Sequence, residues 1–362
     1  MTGTSRTAAG GRYQRLMINL HVGGVIAVFT IIASLSFATL IFAGNLAYCV
    51  TAGISMALIT AVVTGGIVAW RSSYPGTIAI PQDRTAPILA IMAAQIAAVL
   101  PATVDPQVRC LTILAAIAAT SILTGVLLYA LGRFRLGNLS RFIPYPVVGG
   151  FLAGSGWLLA VGSIRVMTGK SLRFTELGHL FDGGLVMKWL PGVLLGLVIF
   201  LLLRRFKRPI LVPGLLVGAV ILFYFILIAS GSTVAEARTN GWLPAVQSGS
   251  NLHLRFWDFS QLREIQWASV PSVWGLVGTV LLTAVISILL NSSGLELVVH
   301  QEIDLNRELR AAGVANIAAG FSGGMLGFQS LSLSRLAYEL GSRTRWTAGI
   351  TAALCAGCLF LG

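Results

Sequence analysis

Long apolar stretches recur along this chain, and they restrict its fold more than any other feature. A helix that crosses a lipid bilayer needs about 20 mostly apolar residues, and only 10% of the residues are charged. The clear candidates are 18–44, 48–70, 110–132, 143–164, 188–203, 209–229 and 271–295. The shorter or interrupted candidates are 85–100, 307–321, 333–340 and 346–362. The sequence therefore predicts an all-α polytopic membrane protein that contains these seven clear and four weaker segments.

The basic residues predict how these segments are oriented. The chain has a formal net charge of +13. If the N-terminus lies inside, most Lys and Arg side chains fall in inner loops, and the strongest cluster is "RRFKRP" at 204–209. This is the positive-inside distribution of multi-pass proteins. We expect a cell-membrane protein with a cytoplasmic N-terminus. Its partner is the lipid bilayer and not nucleic acid, because the sequence has no basic stripe with interleaved aromatic residues.

The sequence lacks the usual motifs of enzymes, metal sites and cofactor sites. It contains no H-E-x-x-H, G-x-S-x-G or P-loop pattern. Cys49 and Cys110 are isolated in the sequence, and Cys355 and Cys358 lie in an apolar stretch, where cysteine acts as a small hydrophobic residue. We therefore expect no catalytic residue, no cofactor and no metal, in a protein that is not an enzyme.

Two short segments interrupt the apolar pattern in a similar way. "TIAIP" (77–81) alternates like a strand and leads into a helix that begins near Thr85. In "FQSLSLS" (328–334), serine alternates with leucine, which also predicts a strand, and a helix follows over 333–340. We expect both segments to be extended, to cross near the middle of the membrane, and each to lead into a half-helix.

The spacing of these segments indicates an internal repeat. Phe328 follows Thr77 by 251 positions, and Pro271, near the start of a long apolar helix, follows Asn19, near the start of the first, by 252. Broken helices at matching positions are typical of secondary transporters that are built from two repeats. The alternative is a chance offset in a long membrane chain.

The two interruptions also predict a binding site. Extended backbone at membrane depth is tolerated only where protein buries it or where it lines an aqueous cavity. Half-helices that begin there direct unpaired N-terminal amides and the positive ends of their dipoles into the cavity, which favours an anion. Packing of helices through small residues is the alternative explanation for the serines. The polar side chains that we expect at the site are Gln82, Asp83, Gln329, Ser330, Ser332 and Ser334.

Three stretches resemble the SulP family of inorganic anion transporters: "RFIPYPVVGGFLAGSGWLLAVG" (141–162), "DLNRELRAAGVANIAAGFSGGMLG" (304–327) and "SLSLSRLAYELGSRTR" (330–345). The resemblance implies two inverted repeats of seven helices, arranged as a core domain that slides against a gate domain. The anion site would lie between the broken third and tenth segments.

The resemblance also implies roles for particular residues. Phe37 matches an aromatic of the first segment, Ile78 a wall residue of the third, and Ser332 a tenth-segment serine near the anion. The chain departs from the family where Leu333 stands in place of a frequent arginine. Asp83 and Arg84 are also unusual for the family, and Ser287 occupies the position of a frequent carboxylate. These departures leave the substrate open.

The resemblance predicts the following domains. They are a cytoplasmic tail (1–17), the first core helices (18–132), gate helices (133–229), an external loop (230–270) and the second core helices (271–362). We expect the fold to be truncated after about eleven segments, with an incomplete second repeat and no STAS domain.

The first hypothesis for function is a secondary active transporter that moves sulfate or a bicarbonate-like anion by alternating access. The alternatives are a carrier of cationic or zwitterionic amino acids, suggested by Asp83, and a non-transporting membrane scaffold. Asp83 is compatible with an anion if it caps the half-helix at Thr85–Pro87 or pairs with Arg84 or Arg335. Glu296 is a candidate coupling residue for a proton or sodium ion, because ionisable groups at membrane depth tend to be functional. A second copy of the chain is a further candidate partner.

Overall fold

The computed structural model describes residues 4–137, 145–169, 178, 181, 183–206, 211–243 and 263–361. Its longer helices are α1 (Thr4–Ile41), α2 (Val50–Arg71), α3 (Ala86–Val99), α4 (Pro106–Arg133), α5 (Tyr145–Thr168), α6 (Gly183–Phe206), α7 (Leu211–Ala229), α9 (Trp274–Val299), α10 (Leu305–Phe321) and α12 (Arg345–Leu361). Two short ones are α8 (Val234–Thr239) and α11 (Leu331–Glu339). The two strands are β1 (Ala79–Pro81) and β2 (Gly327–Gln329). Each of the predicted membrane segments coincides with a helix.

Seven helices of the described part are long and apolar enough to span a bilayer. They correspond to the seven clear candidates of the sequence, whereas α3 and α12 are shorter apolar helices. Part of the predicted external loop (244–262) and the end of the basic cluster (207–209) lie outside the described residues.

The two interrupted segments pair with each other. β1 and β2 run antiparallel, with Ile80 opposite Phe328. The ladder extends beyond the strands, because the amide of Ser330 donates to the Ile78 carbonyl and the amide of Gln82 donates to the Leu326 carbonyl. The predicted strand at "TIAIP" is therefore confirmed, and so is its crossing with the second interrupted segment.

The prediction of a strand through Ser334 was wrong. β2 ends at Gln329 and α11 begins at Leu331. The side chain of Ser330 accepts a hydrogen bond from the amide of Leu333, which caps the helix. Leu333, Leu336 and Ala337 then form one buried face at helical spacing. The serine–leucine alternation thus begins with a cap, and its later members lie on different faces of a helix.

Helices α1, α2, α9 and α10 contact the ladder, and α4 and α12 pack against these helices. Two apolar clusters lie at its two ends. The α3-side cluster includes Phe42, Leu89, Ile117 and Val280. The α11-side cluster includes Ile26, Ile78, Leu128, Ile288 and Leu333. The ladder is therefore enclosed by protein, as its position inside an apolar chain requires.

Helices α5, α6 and α7 are covered far less than the others. Helix α6 has no buried residue and α7 has only Pro213. Of the 18 most apolar consecutive residues of α5, none is buried, whereas 61% of the corresponding residues are buried in α2 and in α4. These three helices contact the rest of the chain through α1 and α3. They form a separate layer beside the helices that surround the ladder.

The tight crossing of α4 and α10 yields a prediction for stability. A Cβ atom added at Gly313 would lie 2.5 Å from the Tyr129 amide nitrogen and 2.8 Å from the Gly125 carbonyl oxygen. Because these are backbone atoms, they can move only if the helices separate. We expect Gly313→Ala to destabilise the protein by about 1–3 kcal/mol, measured by denaturation in detergent. Gly278→Ala is the control, since nothing lies within 4 Å of its added Cβ. Equal stability of the two variants would contradict this packing.

Candidate functional site

Side chains of the core helices satisfy the backbone of the second interrupted segment. Asn316 of α10 donates to the Gly327 carbonyl at 2.9 Å and accepts from the Gly327 amide at 2.8 Å. Thr60 of α2 accepts from the Met325 amide at 2.7 Å. Because Asn316 is only 1% exposed, water cannot replace it. These contacts satisfy the Gly327 and Met325 backbone groups in the interior.

The start of α11 is tied to the start of the other interrupted segment. The Ser334 hydroxyl accepts from the Ile78 amide at 2.9 Å, while Ile78 accepts from the Ser330 amide at 2.8 Å. The structure thus brings three predicted site residues together. Their polar contacts serve the backbone, and the Ile78 side chain is buried in the α11-side cluster.

Gln82 lies at the other end of the ladder, just before α3. Four residue steps separate it from Ile78, about 13 Å of strand. Gln82 is 0% exposed, and among the described residues neither of its side-chain amide atoms has a hydrogen-bond partner. A buried amide without partners is costly. Such a group is a candidate for contact with a ligand.

Asp83 and Arg84 follow Gln82, and the prediction that Asp83 caps α3 was wrong. The N-cap is Thr85, with no side-chain cap, whereas the Asp83 carboxylate accepts from the Arg84 amide at 2.7 Å. Arg335 is paired with Glu339 in this structure. The Arg84 guanidinium lies over the Phe151 ring of α5, 5.9 Å from its centre. It therefore reaches from the ladder into the layer of α5–α7.

Ser332 lines a cavity of about 540 Å³ between α11, α1, α6 and α7. Arg335 lines the same cavity, because three residues along a helix return to nearly the same face. Its guanidinium Nε lies 2.7 Å from a Glu339 carboxylate oxygen, and both side chains are partly exposed. Leu333 stands directly after Ser332, where the family resemblance predicts an arginine. The helical start at Leu331 supplies a cation one turn away instead.

The other predicted site residues are spread over the core. Phe37 of α1 is half-buried against the α3-side cluster. Gln329 donates from Nε2 to the Glu308 carboxylate at 3.2 Å. Glu296 is half-buried near the end of α9. Glu308 is only 2% exposed. No pattern in the sequence indicated that this carboxylate is buried. Within the described ranges, no three His, Cys, Asp or Glu side chains are grouped to hold a metal ion.

Cys49 and Cys110, which are isolated in the sequence, are paired in the structure. They form a disulfide with Cα atoms 5.8 Å apart. Cys49 directly precedes α2 and Cys110 lies in the first turns of α4. A separation of 61 residues hides this pairing from sequence spacing.

Comparison with known proteins gives a consistent family. The sequence pattern of the Sulfate permease family matches residues 16–361. The chain is 26% identical over 322 residues to a vacuolar basic amino acid transporter of Saccharomyces cerevisiae, covering 86% of this chain and 30% of that protein. It is 27% identical over 235 residues to a putative sulfate transporter of Bacillus subtilis, covering 65% of this chain and 44% of that protein. The chain thus spans less than half the length of these relatives.

Several solved structures match nearly all of the chain. The transmembrane domain of a cyanobacterial bicarbonate transporter superposes with a TM-score of 0.68, covering 96% of this chain and 84% of that one. The two sequences are 21% identical. The likeness therefore establishes a shared fold.

Asn316 yields a prediction for the ladder. Asn316→Ala leaves both the amide and the carbonyl of Gly327 buried without this partner, and each such group costs about 1–3 kcal/mol. We expect a large loss of stability and faster hydrogen exchange at 326–330. Asn291→Ala is the control, because the Asn291 side chain donates to Ser287 of its own helix. Unchanged exchange at 326–330 in Asn316→Ala would contradict this role.

Proposed function

The chain belongs to the sulfate permease family, and we propose that its protein moves a small inorganic anion, such as sulfate or bicarbonate, as a secondary transporter. The family consists of transporters rather than enzymes. The fold shared with a bicarbonate transporter and the relationship to a putative sulfate transporter support this substrate class.

The observation that carries the proposal is the cavity lined by Ser332 and Arg335. Both residues lie in α11, whose N-terminus carries a partial positive charge. A hydroxyl donor, a guanidinium and a helix N-terminus together favour an anion. The Glu339 partner of Arg335 is exposed and can be displaced, because surface ion pairs contribute little stability.

The same cavity supports alternating access. Its walls come from the core helices α1 and α11 and from α6 and α7 of the gate layer. Because the gate helices bury few residues, this layer can shift against the core at modest cost. In our proposal the core comprises the two repeats around the ladder, and its movement exposes the anion to either side.

The disulfide supports the expected orientation in the cell membrane. Disulfides form in oxidising compartments outside the cytoplasm. Cys49 and Cys110 lie at the starts of α2 and α4, the end of the core opposite the N-terminal end of α1. We infer that this end faces outward and that the N-terminus is cytoplasmic, in agreement with the positive-inside distribution.

A second candidate function is transport of basic amino acids. The yeast relative is named a vacuolar basic amino acid transporter. Asp83 at the start of α3 could pair with an ammonium or guanidinium group, next to the unpartnered amide of Gln82. This carboxylate is therefore the residue that distinguishes the two substrates.

Arg335 provides the main test of the anion proposal. A hydrogen bond to a charged group contributes about 1.5–3 kcal/mol, so Arg335→Gln should weaken sulfate binding about 10- to 100-fold. Binding to the purified chain in detergent can be measured by calorimetry. Arg343→Gln is the matched control, because Arg343 lies over the Tyr338 ring rather than in the cavity lining. Equal sulfate affinity in Arg335→Gln and the unmodified chain would refute the proposal.

The Asp83→Asn variant distinguishes the anion proposal from the amino-acid proposal. If the substrate is an anion, this change leaves the preference for sulfate over arginine unchanged. Competition between sulfate and arginine for binding is the measurement. Asp105→Asn is the control, since Asp105 caps α4 at an exposed position. Loss of arginine binding only in Asp83→Asn, with no competition by sulfate in any variant, would contradict the anion assignment and favour the amino-acid carrier.

A further inference from the structure

Glu308 is a buried carboxylate that the proposed anion site does not use. It lies in the first turn of α10 and is 2% exposed. The Ser73 amide and hydroxyl each donate to Oε1 at 2.6 Å, and Gln329 donates to Oε2 at 3.2 Å. The Ser72 hydroxyl lies 3.0 Å from Oε1. The carboxylate thus joins α10 to the turn before β1 and to β2 itself.

No ion pair compensates this carboxylate within the described part of the chain. Arg307 is its nearest cationic neighbour in sequence, but the Arg307 Nε donates to the Arg71 carbonyl at 3.0 Å. A buried carboxylate without a cation is expensive when ionised. Neutral and ionised forms of Glu308 can therefore be close in free energy, since hydrogen bonds favour the charge and burial opposes it.

The hydroxyl groups beside Glu308 can satisfy either protonation state. The Ser72 hydroxyl has one proton, and it lies within reach of Glu308, of Thr77 Oγ1 at 2.8 Å and of the Tyr74 carbonyl at 3.1 Å. When Glu308 is ionised, Ser72 donates to it. When Glu308 is protonated, its O–H donates to Ser72, Ser72 donates to Thr77, and Thr77 donates to the Tyr74 carbonyl at 2.9 Å. Each hydroxyl proton has an acceptor in both states.

The space beside Glu308 fits a proton better than a metal ion. A pocket lined by Glu308, Gln329, Ser292 and Thr77 has no room for a water molecule. A hydrated cation would need more volume than this pocket offers, whereas a proton bound to the carboxyl group needs no such space.

We infer that Glu308 is the site at which this protein takes up and releases the proton that is coupled to transport. The inference rests on the proposed transport function. A hydronium ion at the cytoplasmic face gives its proton to Glu308, directly or through the half-buried Ser73 hydroxyl, and becomes water. The new O–H bond forms at a carboxylate oxygen, and release reverses the step.

Protonation of Glu308 can change the substrate site because few residues separate the two. Gln329 contacts Glu308 and directly precedes Ser330, the cap of α11. Ser72 and Ser73 lie in the turn between α2 and β1. Neutral Glu308 also removes a negative charge from the core, so an anion binds more tightly. Low pH should therefore strengthen sulfate binding.

Few other charged groups face Glu308. From its own helix Arg307 favours the ionised form, and α2 ends at Arg71, whose carbonyl holds Arg307. The titratable residue in the turn before β1 is Tyr74. The residues of α9 that line the pocket are Asn291, Ser292 and Leu295, and none of these three titrates. A change in this pocket between pH values is therefore assigned to Glu308.

The test observes the proton itself and does not require a substrate. Infrared difference spectra of the purified chain in nanodiscs, recorded against pH, report the carbonyl band of a protonated carboxyl group. We expect a titrating band that is absent in Glu308→Gln and present in the control Glu302→Gln, which changes an exposed carboxylate. Ser73→Ala removes one donor to the ionised form, so it should shift the midpoint to higher pH. A titrating spectrum identical in Glu308→Gln and the unmodified chain would overturn the inference.

Sulfate binding then tests the coupling. In the unmodified chain the affinity should fall by up to about tenfold per pH unit above the midpoint. In Glu308→Gln, checked for folding by size-exclusion chromatography, this dependence should disappear. The same pH dependence in both proteins would overturn the coupling. Absence of sulfate binding at every pH would refute the anion proposal instead and leave the infrared band to decide whether Glu308 carries the proton.

Discussion

Backbone hydrogen bonding in the two interrupted segments is the constraint on which the rest of this structure depends. Water is not available in a bilayer to satisfy a non-helical backbone. The segments therefore pair with each other, and their remaining groups are satisfied by Asn316, Thr60 and Ser334. Pro81 is tolerated because hydrogen-bonded pairs alternate along the ladder. The bonded positions of the first segment include Ile78 and Gln82, which are an even number of residues apart. Pro81 lies at one of the positions between, where the ladder needs no amide donor.

This ladder determines where charge can be placed. Because α11 begins immediately after it, Ser332 and Arg335 face the cavity between core and gate. Because β2 passes beside α10, Gln329 reaches Glu308. An anion site and a proton site on the same rigid core would move together. The partial charge of a helix N-terminus, about half an elementary charge, is sensitive to a nearby carboxylate, so the protonation state of Glu308 influences anion affinity.

Much of the fold could be predicted from the sequence, and the errors have identifiable causes. Apolar stretches located eleven of the twelve described α-helices, all but α8, and the "TIAIP" alternation located β1. The alternation from Ser330 to Ser334 misled because a cap and two faces of a short helix also give polar residues at every second position. Arg335 was overlooked as a cavity residue for the same reason, since its relation to Ser332 appears only at helical spacing. Asn316, Glu308 and the Cys49–Cys110 pair act through contacts distant in sequence, which no local pattern reveals.

The central claim is that an anion binds where the paired interruptions begin α11. Hydrogen–deuterium exchange of the purified chain, with and without sulfate, tests it most directly. The account predicts slow exchange of the ladder amides at 78–82 and 326–330 in both conditions, and additional sulfate-dependent protection at 331–336 that choline chloride at equal ionic strength does not reproduce. Fast exchange of the ladder, or protection at 331–336 by arginine and not by sulfate, would contradict it.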